Sequence, residues 1–344
     1  MRTIGKSCKG RGRASRGRPL RTRCLVWLWL IPLMVGTGAL AASAAPLKAV
    51  KAGLPGLSIG YGPWYLAQAE GFFKKNGLEV TFAFLADDTL PAALISNGIQ
   101  ATPLTGSITS ANLAGFKVKS VGLLVAKLPW MVIATPSIKS VADLKHKKII
   151  TSPPKAAPNV LLNFLLTKNG IDPKDVEHLS IGSVAARQQL MMAGNADAII
   201  DDVKSGFQLM GQMKDTHIII PASQMPDQVG TGIGVSEETI AKDPELVKSM
   251  LRALVEADRF ISQHPDKAAL VLAKELKIDP AIAGKATKVL IEDFSPTLAP
   301  AEEVYDNEAK IRSMAQGKAV TAAEIKSTWD TRLAAAIDQE FAGK

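Results

Sequence analysis

Apolar and polar positions alternate strictly along LEVTFAFL. Leu78, Val80, Phe82 and Phe84 share one face, the period-two mark of a half-buried strand. The KNG before it reads as a turn. After it, DTLPAALISNG predicts a short helix closed by Gly98, IQATPLT a strand, SITSANLAGF a helix and VKSVGLLVA a strand. The alternation resumes with KKIITS, the helix NVLLNFLLTKNG closed by Gly170, the strand VEHLSIG, the helix SVAARQQLMMAG closed by Gly194, and the strand ADAIIDD. Glycine suits the position after a helix because it takes the left-handed conformation without a Cβ penalty. Elements alternating in this way predict largely parallel α/β sheets.

Beyond about residue 236 the period changes to that of a helix. In DPELVKSMLRALVEADRFISQHP, Leu246, Val247, Met250, Leu251, Leu254 and Val255 recur at i, i+3, i+4 spacing, with Asp243 placed to cap and Pro244 at the first turn. Asp279 and Pro280 open a further helix in the same way. Thr321 and Glu324 form a capping box ahead of Ile325, Trp329, Leu333 and Ile337. No short-period repeat is visible, so two α/β lobes with a helical C-terminal region is the economical architecture.

The first 44 residues follow neither pattern. A basic run is followed by LVWLWLIPLMVGTGALAASAA, which ends in Ala42, Ser43 and Ala44. Basic, apolar and small-residue regions in that order predict a secretory signal peptide, cleaved after Ala44. Its strongly apolar core, Leu25 to Val35, is shorter than the ~20 residues a membrane span needs, so no stable membrane insertion is expected once the leader is removed. The leader holds nine of the 41 Lys and Arg residues and none of the 32 Asp and Glu, leaving 32 of each in the mature chain. A near-neutral mature protein has no general attraction for nucleic acid or anionic membrane, and neither is an expected partner. Cys8 and Cys24 also lie in the leader. The exported chain therefore has no disulfide, thiolate metal site or cysteine nucleophile, and is expected as a soluble periplasmic monomer.

Motifs of catalysis are scarce. His146, His178, His217 and His264 lie far apart with no metal-ligand spacing, and there is no nucleophile elbow or phosphate loop. GTGIG at Gly230 to Gly234 lacks the dinucleotide-binding spacing and reads as the glycine-rich start of a strand. No cofactor, no metal and no catalytic residue is expected.

GPWYLAQAEGFFKKNGLEV, Gly62 to Val80, closely resembles the opening of nitrate/sulfonate/taurine-type (SsuA/THI5-like) substrate-binding proteins of ABC importers. SVADLKHKKI, LLNFLLTKNGIDPKDVEHLSIGSVAARQQLMMAGNADAII and VSEETIAKDPELVKSMLRAL follow that family's pattern in its order, so the resemblance spans nearly the whole mature chain. It implies a type II periplasmic binding protein, in which two α/β lobes joined by two crossover strands close on a small-molecule ligand. Lobe one would be roughly residues 46–132 plus 228–344, and lobe two residues 133–227. It also implies ABC permease transmembrane subunits as partners and no chemistry on the ligand. Two rival classes share the two-lobed design: a fold-related enzyme acting on a small metabolite, and the receptor of an ion-driven tripartite carrier.

In such lobes ligands sit beyond the carboxyl ends of strands, where helix N-termini present unpaired N–H groups. The first loop selected is Tyr61-Gly62-Pro63-Trp64-Tyr65, where Gly62 lets backbone approach a ligand and an aromatic ring supplies a flat wall; the alternative is that Trp64 or Tyr65 packs the helix onto the sheet. Thr105-Gly106-Ser107 offers a polar cradle or an ordinary helix cap. In the other lobe, Ser152, Lys155 and Asn159 occupy a loop where members of the family often carry a glycine that donates N–H groups to an anion. Pro153, Pro154 and Pro158 stand there instead and have no N–H, which disfavours a bare nitrate or sulfonate. Of Asp201 and Asp202 at a strand end, one suits a helix cap and the other an N–H donor on the ligand. Trp130, near the expected crossover, either stacks on a ring or packs the hinge. Together these features point to an organic, ring-containing ligand with at least one N–H or O–H donor.

Overall fold

The period-two segment at Leu78 is a strand, β2 (Leu78–Phe84), parallel to β1 (Lys48–Leu54) with Val50 opposite Val80 and Leu54 opposite Phe84. The computed structural model describes residues 46–154 and 156–342; the leader read over residues 1–44 and Lys155 lie outside the described residues. Leu78 and Val80 are buried, Phe82 half-buried and Phe84 exposed, so the apolar stripe fades toward the strand's carboxyl end. Helices α1 (Gly62–Ala69) and α2 (Phe72–Lys75) fill the crossover between the two strands, and α3 (Leu90–Ile95) and α4 (Thr105–Leu113) follow β2. IQATPLT does not form the expected strand. Ala101 bridges Ala52 and Thr102 bridges Gly234, after which Pro103 can accept from the Gly232 amide but has no N–H to return.

Strand β3 (Val118–Val125) runs directly through residues 126–129 into β4 (Trp130–Ala134). Then come β5 (Lys148–Thr151), α5 (Ala157–Lys168), β6 (Glu177–Ser180), α6 (Val184–Met192), β7 (Ala198–Asp202), α7 (Val203–Gln212) and β8 (His217–Ile220), and the chain returns as β9 (Thr231–Ser236). A five-stranded sheet has the order β6-β5-β7-β4-β8, while β3 and β9 pair with each other. The expected parallel pairing holds for β5 with β6 and β7, where α5 and α6 supply the crossovers. It fails for β4 with β7 and β8 and for β3 with β9, which are antiparallel. Of these, β3, β4, β8 and β9 flank the two direct passages between sheets, residues 126–129 and 221–230, where no crossover helix reverses the chain.

The glycine-rich start of β9 is a strand, as its sequence predicts, and the glycines have a steric reason. A Cβ on Gly230 would stand 2.1 Å from the Val125 carbonyl oxygen, and one on Gly232 would stand 1.9 Å from that of Gly122. The β3–β9 register slips twice along this stretch, and the backbones approach too closely for any side chain.

The remaining chain is helical: α8 (Glu237–Lys242), α9 (Pro244–Gln263), α10 (Pro265–Leu276), α11 (Pro280–Glu292), α12 (Glu302–Gln316), α13 (Ala322–Ser327) and α14 (Arg332–Phe341). Asp243 and Asp279 cap α9 and α11 as read from sequence, and α9 buries Leu246, Val247, Met250, Leu251 and Leu254 with Val255 half-buried. The capping box at Thr321 and Glu324 is formed, but α13 ends at Ser327. Trp329 sits in the break, bridged to Ser120, and Leu333 and Ile337 belong to α14. Among the described residues no helix is long and apolar enough to cross a membrane.

Helix α12 serves two cores. Val304, Tyr305 and Ala309 pack with Leu123, Ala126, Val229, Ile325 and Trp329, whereas Ile311 packs with Val132, Leu161, Leu165 and Ile200 beneath the five-stranded sheet.

Immediately after α11, Asp293 is 1% exposed and neither carboxylate oxygen has a hydrogen-bond partner among the described residues. Its main-chain oxygen accepts from the Ala126 amide at 2.9 Å, which places it beside the first passage between sheets. Burial pushes its carboxyl up to about 7; Lys127 opposes the shift, and Glu292 and Asp227 add to it. An acid held protonated in the folded state binds more protons there than in the unfolded chain, so stability falls as pH rises from the ordinary carboxylate range toward 7. Asp293→Asn is therefore expected to raise the melting temperature at pH 8 and to have little effect at pH 4. Melting curves across that range check this; an equal effect at both ends would exclude it.

Candidate functional site

Loops at the carboxyl ends of the strands converge on the two passages between sheets. After β1, the Ser58 hydroxyl accepts from the Gly60 amide at 3.2 Å and caps a single 3-10 turn, Ile59–Tyr61, that leads into α1. The Gly60 carbonyl accepts from the Thr231 hydroxyl at 2.7 Å, and Pro129 Cγ lies 3.9 Å from where a Gly60 Cβ would stand. Pro129 in turn accepts from the Val203 amide at 2.9 Å, and Trp130 pairs in register with Asp202. The structure thus gathers the Tyr61 loop, the starts of β9, β4 and α7, and Asp202 around one locus.

Helix α4 begins beside it. The Thr105 hydroxyl donates to the Gly230 carbonyl at 2.9 Å, which ties the helix start to β9. Leu104 stands at the cap position and supplies no side-chain acceptor, so the ordinary-cap reading of Thr105-Gly106-Ser107 does not apply. The amides of Gly106 and Ser107 find no acceptor among the described residues, and both residues are half-buried. Two unpaired N–H groups at the positive end of a helix can receive a carbonyl, carboxylate or ring nitrogen.

The aromatic loop divides differently from its sequence reading. Trp64 is fully buried, donates from Nε1 to the Gly232 carbonyl at 3.2 Å and packs at 6.1 Å from the Phe73 ring, so it is core and not a ligand wall. A Cβ on Gly62 would stand 2.6 Å from Leu290 Cδ2, so the close approach that glycine permits is to α11 and not to a ligand. Tyr65 is buried against Phe82, and burial pushes its phenol up to about 12 against the Ser58 amide, which favours the ionised form. Tyr61 is buried too; burial raises its phenol, with Tyr65 and Asp87 adding.

In the five-stranded sheet, Ser152, Ile181 and Asp202 follow or end β5, β6 and β7 at one edge. The buried Ser152 hydroxyl accepts from the Asn159 amide at 3.1 Å, and the Asn159 side-chain oxygen accepts from Asn163 at 3.3 Å. These contacts order the first turn of α5 across the proline-rich loop. Lys155 lies outside the described residues. Asp202 caps α7, accepting from the Ser205 amide at 3.0 Å, and Trp130 beside it is half-buried.

Asp201 is fully buried and internally engaged, and is not the cleft-facing acceptor that its place at a strand end suggested. Its oxygens accept from the Asp202 amide at 3.1 Å and from Gln188 at 3.2 Å, with the Arg187 guanidinium at 3.6 Å. Burial, then Asp202, push its carboxyl up to about 6; Gln188 and Arg187 oppose the shift. Arg187 also donates to the Ile181 and Gly182 carbonyls at 3.1 and 3.3 Å, and so fixes the loop after β6. Sequence reasoning missed Arg187, although an isolated cation in VAARQQLMMAG, a segment with no acid, was a signal that a distant carboxylate must answer it.

A hollow of about 1150 Å³ lies elsewhere, between the C-terminal half of α5, residues 223–227 and α12, and touches none of the candidate residues. Of them, Asn159 lines a smaller hollow of about 430 Å³ against Met314 to Gly317.

Comparison with known proteins gives a family and a fold. The family described as NMT1/THI5 like matches residues 59–268. The riboflavin-binding protein RibY of Chloroflexus aurantiacus is 27% identical over 61% of each chain. Among solved structures, the alkanesulfonate-binding protein SsuA from Xanthomonas axonopodis pv. citri bound to MOPS superposes with a TM-score of 0.62 at 17% identity, over 84% of this chain and all of that one. The periplasmic nitrate-binding protein NrtA of Synechocystis PCC 6803 gives 0.63 at 13% identity, over 87% and 90%. The mixed α/β architecture is thus the periplasmic binding protein fold.

The buried tryptophan makes a direct test. Trp64→Ala is expected to cost about 3–5 kcal/mol of stability, the range for emptying a buried aromatic site. Trp130→Ala, at a half-buried sheet edge, is expected to cost clearly less. Urea unfolding of both variants checks the order, and equal midpoints would contradict it.

Proposed function

The chain belongs to the NMT1/THI5-like family, and on that premise we propose that it is the exported solute-binding receptor of an ABC importer. It captures a small organic molecule between two lobes and presents it to the permease. The leader directs it to the periplasm and leaves a monomer beginning at Ala45. The observation that carries the reading is the pair of unpaired amides on Gly106 and Ser107, held beside the two passages that link the β3–β9 sheet to the five-stranded sheet. A ligand bound there touches both sheets only when they approach, so its differential affinity stabilises closure. Because β4 starts at Trp130 within the five-stranded sheet, the expected bounds 46–132 plus 228–344 and 133–227 shift slightly: lobe one comprises residues 46–125 and 231–344 and lobe two residues 130–220, with residues 126–129 and 221–230 as hinge.

The ligand in this reading is ring-containing, with an acceptor for the α4 amides and a donor for Asp202, and Trp130 lies beside its ring. Similarity to a riboflavin-binding relative supports a heterocycle. A second reading, an anionic head on the α4 amides, is favoured by the same free N–H groups and by likeness to a sulfonate receptor. Pro153, Pro154 and Pro158 count against it, because the opposite loop has few amides to complete an anion cradle. No chemistry on the ligand is proposed.

A thermal-shift screen of the mature protein against riboflavin, thiamine, MOPS and nitrate, followed by small-angle scattering, tests both parts. A heterocycle at ~100 times its dissociation constant should add about 2.7 kcal/mol of stability and reduce the radius of gyration. Tighter binding of nitrate or MOPS than of any heterocycle would overturn the ligand reading, and binding without compaction would overturn hinge closure.

A further inference from the structure

We propose that Arg312 is a positioning residue: through a closed ring of contacts it fixes the first turn of α4, whose amides receive the ligand, to the second passage between the sheets. The inference rests on the ligand reading above only for its effect on affinity; the ring itself belongs to the ligand-free protein.

Each nitrogen of the Arg312 guanidinium is engaged. Nε donates to Glu308 at 2.6 Å, one terminal nitrogen to the Ser110 hydroxyl at 2.7 Å and the other to the Gly106 carbonyl at 2.7 Å. The Gly106 carbonyl belongs to the peptide whose N–H is the unpaired Ser107 amide, so Arg312 holds that peptide from its oxygen end. Glu308 is buried; burial raises its carboxyl, opposed by Arg312 and by the Val229 amide facing it. One residue earlier, Asn307 donates to the Asp227 carbonyl at 3.0 Å. The circuit closes through the helix start, because Thr105 donates to the Gly230 carbonyl and the Gly106 α-carbon faces the Val229 carbonyl. Only a planar fork with several donors can serve a carboxylate, a hydroxyl and a carbonyl at once, and a lysine cannot replace it.

The consequence for binding comes from the adjoining face of α12. Ile311, next to Arg312, packs in the core beneath the five-stranded sheet. A reorientation of that sheet therefore displaces α12, and Arg312 transmits the displacement to the Gly106–Ser107 peptide, which carries the Ser107 amide and directly follows that of Gly106. The sequence contains Glu308 and Arg312 at the i, i+4 spacing of an ordinary exposed helix pair; their burial and their reach to α4 come from the fold.

Hydrogen exchange on the ligand-free mature protein tests the ring. The pair is best removed together, as Glu308→Gln with Arg312→Gln, so that no buried charge is left alone. Amides of Ile108 to Asn112 and of Asp227 to Gly230 are expected to lose protection while those of α9 keep theirs. Arg312→Lys, which retains the charge, is expected not to restore protection in α4. The same variants are then titrated with riboflavin and MOPS. Whichever of these the wild type binds should bind about ten-fold or more weakly, the scale of a lost charge-assisted contact. Unchanged exchange at Ile108 to Asn112, full rescue by lysine, or unchanged affinity despite loosened amides would each overturn the proposal. Should the wild type bind neither compound, the exchange result still decides the ring, and the ligand reading falls separately.

Discussion

The close passage of β9 against β3 governs the rest of the molecule. Where Gly230 and Gly232 lie on the β3 carbonyls there is no room for a Cβ, so the chain returning from the five-stranded sheet is pressed into one position. That position presents the Gly230 carbonyl to Thr105, the Thr231 hydroxyl to Gly60 and the Gly232 carbonyl to Trp64. The first loop, the start of α4 and the core aromatic are thereby set by one strand, and a larger residue at either glycine would disturb all three together. Irregular register here is a construction feature, since a bulged pair can turn the backbone groups of one strand toward several neighbours at once.

Polar groups follow the opposite logic around the five-stranded sheet. Gln188 donates to Asp201 and to the Ser205 carbonyl, and Arg187 pairs with Asp201 at 3.6 Å while donating to the Ile181 and Gly182 carbonyls, so α6, β7 and α7 are joined through buried polar contacts. A buried charge is tolerated when its neighbours complete its bonding. Asp293 lacks such neighbours, and its proton is the means by which that cost is lowered.

Much of the fold was legible in sequence because periodicity and caps are local. The strand at Leu78, the helices closed by Gly170 and Gly194, the long helix opened by Asp243 and Pro244 and the capping box at Thr321 all depend on residues within a few positions of one another. Strand direction was only half legible, since β3, β4 and β9 pair across distances that no local pattern encodes. The site divided along the same line. A cap at Asp201 or Asp202 is a local fact, which the sequence offers without deciding between the two, and the start of α4 at Thr105 lies two residues ahead of the Ser107 that the sequence pattern indicates. Whether Trp64 or Asp201 faces inward depends on Gly232, Gln188 and Arg187, which are remote from them or silent until the fold assembles them. Arg312 is the extreme instance, 206 positions from the peptide that it holds.

The burial of aromatic residues has an optical consequence. The described chain has three tryptophans; Trp64 and Trp329 are sealed in core and Trp130 alone is half-exposed, at the first passage between sheets. Fluorescence from the sealed pair forms a constant background whose colour reflects only whether the protein is folded. Among the described residues, Trp130 is thus the tryptophan whose emission answers to its surroundings while the fold stays intact, a label-free reporter placed at the passage between the sheets.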